Sequence, residues 1–159
     1  MSNQTGFVAQ QKKTVGDLAV DGLLLGMAAS LAMGGALLLL QLLDGVGPAA
    51  LLGRFDPANG GSVLAGGLMF LAVAGLYGVI YAVIYRLSPG SKIFWKRFGW
   101  LLGAAYGLGL WMLAQYVFLP GLNSALEAIP PSHFAVAHLV YGLALGYFCL
   151  LYTSPSPRD

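Results

Sequence analysis

Charge is what this chain has least of. Only 9% of its 159 residues are Asp, Glu, Lys or Arg, against about 25% in soluble domains. With 58% of the residues hydrophobic, one water-surrounded core of this size could not hide the apolar surface. A single cysteine, Cys149, excludes an intramolecular disulfide and a Cys-built metal cluster and leaves a reduced, packed thiol. The net charge of +2 is too small and dispersed for the electrostatic footprint of nucleic-acid binding. The phosphate loop, the dinucleotide fingerprint, the zincin motif and the Ser/His/Asp set are all missing. The two histidines, His133 and His138, lie five apart on one apolar stretch. On a helix that is about 140° of rotation, so they cannot grip one ion together, and neither metal nor cofactor is expected.

What the chain has in abundance is long apolar runs, at 18–43, 62–85, 98–119 and 133–152. A helix needs about 20 residues at ~1.5 Å rise to cross a bilayer, and each run suffices. The fold class expected is all-α: a polytopic membrane protein of four transmembrane helices, arranged as two tandem helical hairpins. Residues 1–17 form a polar arm, 18–152 the transmembrane domain and 153–159 a tail. The first run is too long for the core of a cleaved signal peptide and reads as a retained anchor.

Basic residues set the orientation. Lys12 and Lys13 precede the first run, and Arg86, Lys92, Lys96 and Arg97 lie around the loop after the second. The other two loops carry only Arg54, offset by Asp44 and Asp56, and no Lys or Arg at all between the third and fourth runs. Short basic loops stay cytoplasmic, so both chain ends and the Arg86–Arg97 segment are expected inside, where those cations also meet anionic headgroups. Trp95 and Trp100 suit an interfacial belt. The outer loops are punctuated by glycine and proline, with Ser62 or Asn59 expected to cap the second helix and Ser132 the fourth.

Lipid supplies no hydrophobic drive for helices to associate, so small residues must let backbones approach. They recur every four residues: Gly22, Gly26, Ser30 and Gly34; Ala74, Gly78 and Ala82; Gly99, Gly103 and Gly107; Gly142 and Gly146, with His138 on the same line. Leu37–Leu40, Val79, Ile80 and Ile84 suit the lipid face. The second and fourth runs share Ala-Val-Ala…Tyr-Gly, ending at Gly78 and Gly142. The first and third share Leu-Leu-Gly, ending at Gly26 and Gly103. The pattern fits parallel repeats about an axis normal to the membrane.

Polar groups inside a membrane are costly and default candidates for function. Counting rise per residue puts Gln115 and His138 at one level, with Tyr141 a turn deeper and Gln41 near the same surface. These four form the expected polar site. The sharp reading is a proton-handling histidine; the plain one is an interhelical hydrogen bond of roughly 0.6–2 kcal/mol. His133 reads as an interfacial residue. Asp21 reads as a first-turn carboxylate favoured by the helix dipole, with a coupling-ion ligand as the alternative. Tyr77, Tyr81 and Tyr85, with Tyr106 and Tyr147 at similar depth, read as aromatic core and inner belt, the alternative being a quinone- or lipid-facing slot.

The end, from Cys149 to Asp159, resembles a translated sequencing-adaptor read-through, and Thr153–Asp159 is expected to be non-native. His138 followed by Tyr141-Gly142 and Gly146, with a Gly-rich third run ending Gln115…Pro120, looks like a class of small prokaryotic four-helix membrane proteins of unknown function. The resemblance implies the plasma membrane of a prokaryote and supplies no catalytic residue. The function expected is a non-enzymatic structural, assembly or envelope-support component in contact with lipid, as a homo-oligomer or with a membrane partner. The alternative is a small transporter or channel subunit built on the Gln115–His138 level.

Overall fold

The computed structural model describes residues 14–87, 92–121 and 124–153, the side chains of 92–97, 121 and 150–153 excepted. Lys12 and Lys13, the side chains of Trp95, Lys92, Lys96 and Arg97, and the adaptor-like end beyond Thr153 lie outside the described residues. The chain is helical, with no strand among those residues. In order it forms α1 (Val15–Leu43), α2 (Pro48–Gly53), α3 (Val63–Leu87), α4 (Lys92–Leu113) and α5 (Pro131–Thr153). Four of the five are long and apolar enough to cross a membrane. The fifth, α2, is a six-residue helix begun by Pro48, whose missing N–H costs nothing at a helix start.

The helix starts follow local chemistry. Thr14 caps α1, its Oγ1 accepting from the Asp17 amide at 3.2 Å while Asp17 Oδ2 accepts from the Thr14 amide at 2.8 Å. This reciprocal box starts α1 at Val15 rather than Leu18. Asp17 therefore holds the first-turn position, and Asp21 stands in the second turn. Ser62 caps α3, accepting from the Ala65 amide at 3.3 Å. Ser132 does not cap α5. Proline fits the first helical turn, so α5 begins at Pro131 and Ser132 already lies within it. At its far end α4 widens into a π-helical turn, Ala114–Phe118, followed by a 3-10 turn at Leu119–Gly121.

Glycine builds two seams. A Cβ on Gly22 would fall 2.8 Å from the Val79 Cα, and one on Gly26 2.8 Å from the Gly78 Cα. Between α4 and α5 a Cβ on Gly107 would meet the Gly142 Cα at 3.1 Å, and one on Gly146 the Gly99 carbonyl oxygen at 2.8 Å. Gly103 and Gly142 face each other's carbonyls in the same way. The seams match position for position. The Gly22 and Gly26 sites abut the Gly78 and Ala74 carbonyls, just as the Gly103 and Gly107 sites abut those of Gly142 and His138. Gly26 thus corresponds to Gly107, one turn on from the partner that Leu-Leu-Gly suggests. Gly34 lies outside the seam, facing only the Phe70 ring at 3.5 Å. Leu37, read as lipid-facing, is 1% exposed and belongs to the core, because α1 packs on both α3 and α5.

The four spans thus form an incomplete ring in the order α3, α1, α5, α4. The backbones of α3 and α4 barely approach each other. In the half nearer Arg86 a side chain closes that gap: the Tyr106 hydroxyl donates to the Tyr77 carbonyl at 2.7 Å, and its ring packs 5.0 Å from that of Tyr81. Tyr147, by contrast, is exposed. In the other half the space between the helices is a cavity lined by residues of α3 and of the turns that follow α4.

Candidate functional site: a cavity between the two hairpins

The open half of the ring encloses a cavity of about 500 Å³, within the usual range for small-molecule sites. Its walls are Met33 of α1, Met69, Phe70, Val73, Ala74 and Tyr77 of α3, Ala114, Phe118 and Leu119 at the end of α4, and Phe134, His138 and Tyr141 of α5. The two loops at this end roof it with Phe55, Asp56, Pro57, Asn59, Ser124 and Leu126.

The roof is organised by Asp56. Its Oδ1 accepts from the Ala58 amide at 3.1 Å and its Oδ2 from the Ser62 amide at 2.9 Å. These amides, Ser62 first, then Ala58 and Gly60, hold the carboxyl below the usual carboxylate range. The turn they enclose needs Asn59 at φ +54° and Gly61 at φ +74°, the left-handed region that Asn and Gly tolerate. Asn59 Oδ1 accepts from the Ala125 amide at 3.2 Å, joining the first loop to the second.

A polar network flanks this roof. Arg54 donates to Gln41 Oε1 at 2.6 Å and reaches toward the Ala128 carbonyl at 3.5 Å. Since guanidinium can only donate, Gln41 must present its oxygen to Arg54 and its amide to His133, whose Nδ1 lies 3.3 Å away. The same Nδ1 lies 3.3 Å from Asp44 Oδ2. It accepts from Gln41 when bare and donates to Asp44 when it carries a proton.

The floor is formed by the side chains of Tyr77, His138 and Tyr141. Tyr141, fully buried, donates its hydroxyl proton to the Ala74 carbonyl at 2.7 Å. His138, 4% exposed, packs edge-on to Phe134 at 4.5 Å, and its Nδ1 donates to the Phe134 carbonyl at 2.8 Å. A carbonyl only accepts, so Nδ1 carries the hydrogen; in the neutral ring Nε2 is then a lone-pair acceptor. No hydrogen bond reaches Nε2 or the Tyr77 hydroxyl from the described residues.

The four residues expected to form one polar site are thus divided. His138 and Tyr141 share the floor. Gln41 belongs to the Arg54–His133 network. Gln115 sits in the π turn without a hydrogen bond to the other three; its neighbours Ala114 and Phe118 face the cavity. Counting rise gives depth and leaves the angle around the helix open, and the π turn alters that angle further. Sequence reasoning missed Phe134 and the whole roof, and it named Tyr77 as aromatic core with a lipid-facing slot only as the alternative. The Asp56-Pro57 and Asn59-Gly60-Gly61-Ser62 run signalled a turn, but nothing in it named a cavity beneath. Among the described residues, no three of His, Cys, Asp or Glu gather at metal-binding distance.

A second hollow, about 690 Å³, lies among α1, α2 and α3. It is apolar but for Ser30, whose hydroxyl is already committed to the Met27 carbonyl at 2.7 Å, and it offers no polar discrimination. Compared with protein-family models, with curated proteins and with solved structures, the chain matches none.

Proposed function

We propose that this protein is a non-enzymatic component of a prokaryotic plasma membrane. Both chain ends are cytoplasmic, and the protein holds an amphiphile drawn from the outer leaflet. The observation that carries this reading is a largely apolar cavity lined by α3 and by the turns that follow α4, two helices whose backbones barely approach each other. Holding such a molecule gives the expected structural or envelope-support role a physical basis. A transporter built on Gln115 and His138 requires a polar path onward from the floor toward Asp21. What supports holding instead is the closed packing beyond the floor, where Ala29, Tyr81 and Leu145 are all fully buried. Assembly into a homo-oligomer or with a membrane partner belongs to the same proposal. Gly35, Gly67 and Gly109 meet nothing within 4 Å and leave small-residue surface for a neighbouring helix.

Extraction in mild detergent followed by mass spectrometry of the co-purifying lipid tests the holding role. A defined amphiphile is expected with the parent protein and is lost from Val73→Trp, which fills the cavity wall. A parent protein free of any such molecule overturns the reading. For orientation, Ala58→Cys on a Cys149→Ala background should react with a membrane-impermeant thiol reagent on intact cells. Lys92→Cys should react only after lysis.

A further inference from the structure

The chemistry of the cavity floor restricts what the site can hold, and this inference rests on the holding role proposed above. We propose that the occupant is a neutral amphiphile whose head donates a hydroxyl hydrogen bond to His138 Nε2, its chain leaving between α3 and α4.

Tyr141 has committed its proton to the Ala74 carbonyl and retains only oxygen lone pairs toward the cavity. His138 has committed its Nδ1 hydrogen to the Phe134 carbonyl, which leaves Nε2 as an acceptor in the neutral ring. Only the Tyr77 hydroxyl can serve in either sense. A floor with two acceptors and one adaptable group matches a head that gives a proton and also accepts one, which is the capacity of a hydroxyl. His138 is more than nine-tenths buried, yet its unpartnered Nε2 is not among the sealed-off atoms, so it borders open space where a donating head can answer it.

Charge narrows the class further. Among the described residues no Lys or Arg lines the cavity, and their one ionised group there is the Asp56 carboxylate in the roof. A carboxylate or phosphate head would lie unpaired in an apolar enclosure beneath a like charge. An ammonium head at the floor would have no carboxylate beside it, since both Asp56 oxygens are turned to the loop amides. A neutral head avoids both costs. The exit assigned to the chain lies between Met69 and Val73 on α3 and Ala114 and Phe118 in the π turn, all four lining the cavity, because the backbones of α3 and α4 barely approach each other.

The test is a binding series in nanodiscs of zwitterionic lipid, read by native mass spectrometry. It uses four probes of equal chain length: a monoacylglycerol, its dimethyl ether, the free fatty acid and the primary alkylamine. The monoacylglycerol is expected to bind about tenfold more tightly than each of the others, about 1.4 kcal/mol. Tyr77→Phe and His138→Leu are each expected to bring monoacylglycerol binding down toward the level of the ether. Tyr77→Phe removes only a phenol oxygen, since Tyr106 is held by the Tyr77 backbone carbonyl; it keeps the test decisive should His138→Leu fail to fold. Equal binding of all four probes overturns the head selection while leaving the holding role intact. Tighter binding of the fatty acid or the amine overturns the neutral head in the same way. Failure of every probe to bind the parent protein overturns the holding role, and the head selection with it.

Discussion

Asp56 organises the roof through one short side chain. Three amides of its own loop converge on the carboxylate, and that convergence holds its pKa down. The sign of the pH effect follows. The group binds its proton more weakly folded than unfolded. Its stabilising contribution is therefore fully present above the ordinary carboxylate value near 4 and lost as pH falls through the lower folded value. Thermal melts in detergent should show the melting temperature dropping on acidification below about pH 4. Asp56→Asn should lower the neutral-pH melt and flatten that dependence; an unchanged acid limb in Asp56→Asn would discount the loop carboxylate. At this scale the sequence was partly legible. Asp56-Pro57 and Asn59-Gly60 announce a turn by chemistry alone. That Asn59 Oδ1 also receives the Ala125 amide was not legible, since it joins positions 66 residues apart. His138 is similar: its burial could be read from its place in an apolar run, but its Nδ1 partner could not.

Helix pairs are governed by the glycine seams, where backbone lies on backbone and a single methyl has no room. Gly78→Ala would set a Cβ 2.6 Å from the Gly26 Cα; overpacking of this kind costs about 1–3 kcal/mol. Its melting temperature should fall clearly, whereas Gly67→Ala, with nothing within 4 Å, should hold or gain slightly from better helix propensity. The bulkier Gly103→Leu and Gly142→Leu should separate α4 from α5 and abolish a monodisperse detergent peak. Equal behaviour of Gly67→Ala and Gly78→Ala would remove the seams from the account. The spacing of four was visible in the sequence because it follows from the helix repeat. Which strips pair was not, since pairing depends on loop geometry and crossing angle. Gly34 keeps the spacing yet faces a phenylalanine ring, while Gly66, outside the strips, lies against the Leu52 carbonyl of α2. The short α2 itself was hidden among Gly and Pro residues that read as loop punctuation.

For the molecule as a whole, two hairpins of matching internal seam are joined chiefly along α1 and α5 and by tyrosine hydroxyls of one hairpin on carbonyls of the other. Each such bond is worth about 1 kcal/mol. Tyr106→Phe and Tyr141→Phe should each lower the melting temperature modestly, with a near-additive double variant if the two carbonyl contacts act separately. Losses confined to one of the two would mean that the hairpins are tied at one depth only. The four spans were legible because hydrocarbon demands length and apolarity, both plain in composition. The incomplete closure of the ring was not, because two apolar helix faces look alike in sequence whether they meet protein or lipid.

That gap between α3 and α4 has a consequence for selectivity. A closed pocket measures its guest along the whole length and rejects what is too long. A pocket breached toward hydrocarbon imposes no such ruler: the surplus of a chain simply stays dissolved among its neighbours. Under the holding role proposed above, recognition falls on the few atoms that reach His138 and Tyr77, and molecules of very different tail length become interchangeable so long as their heads agree.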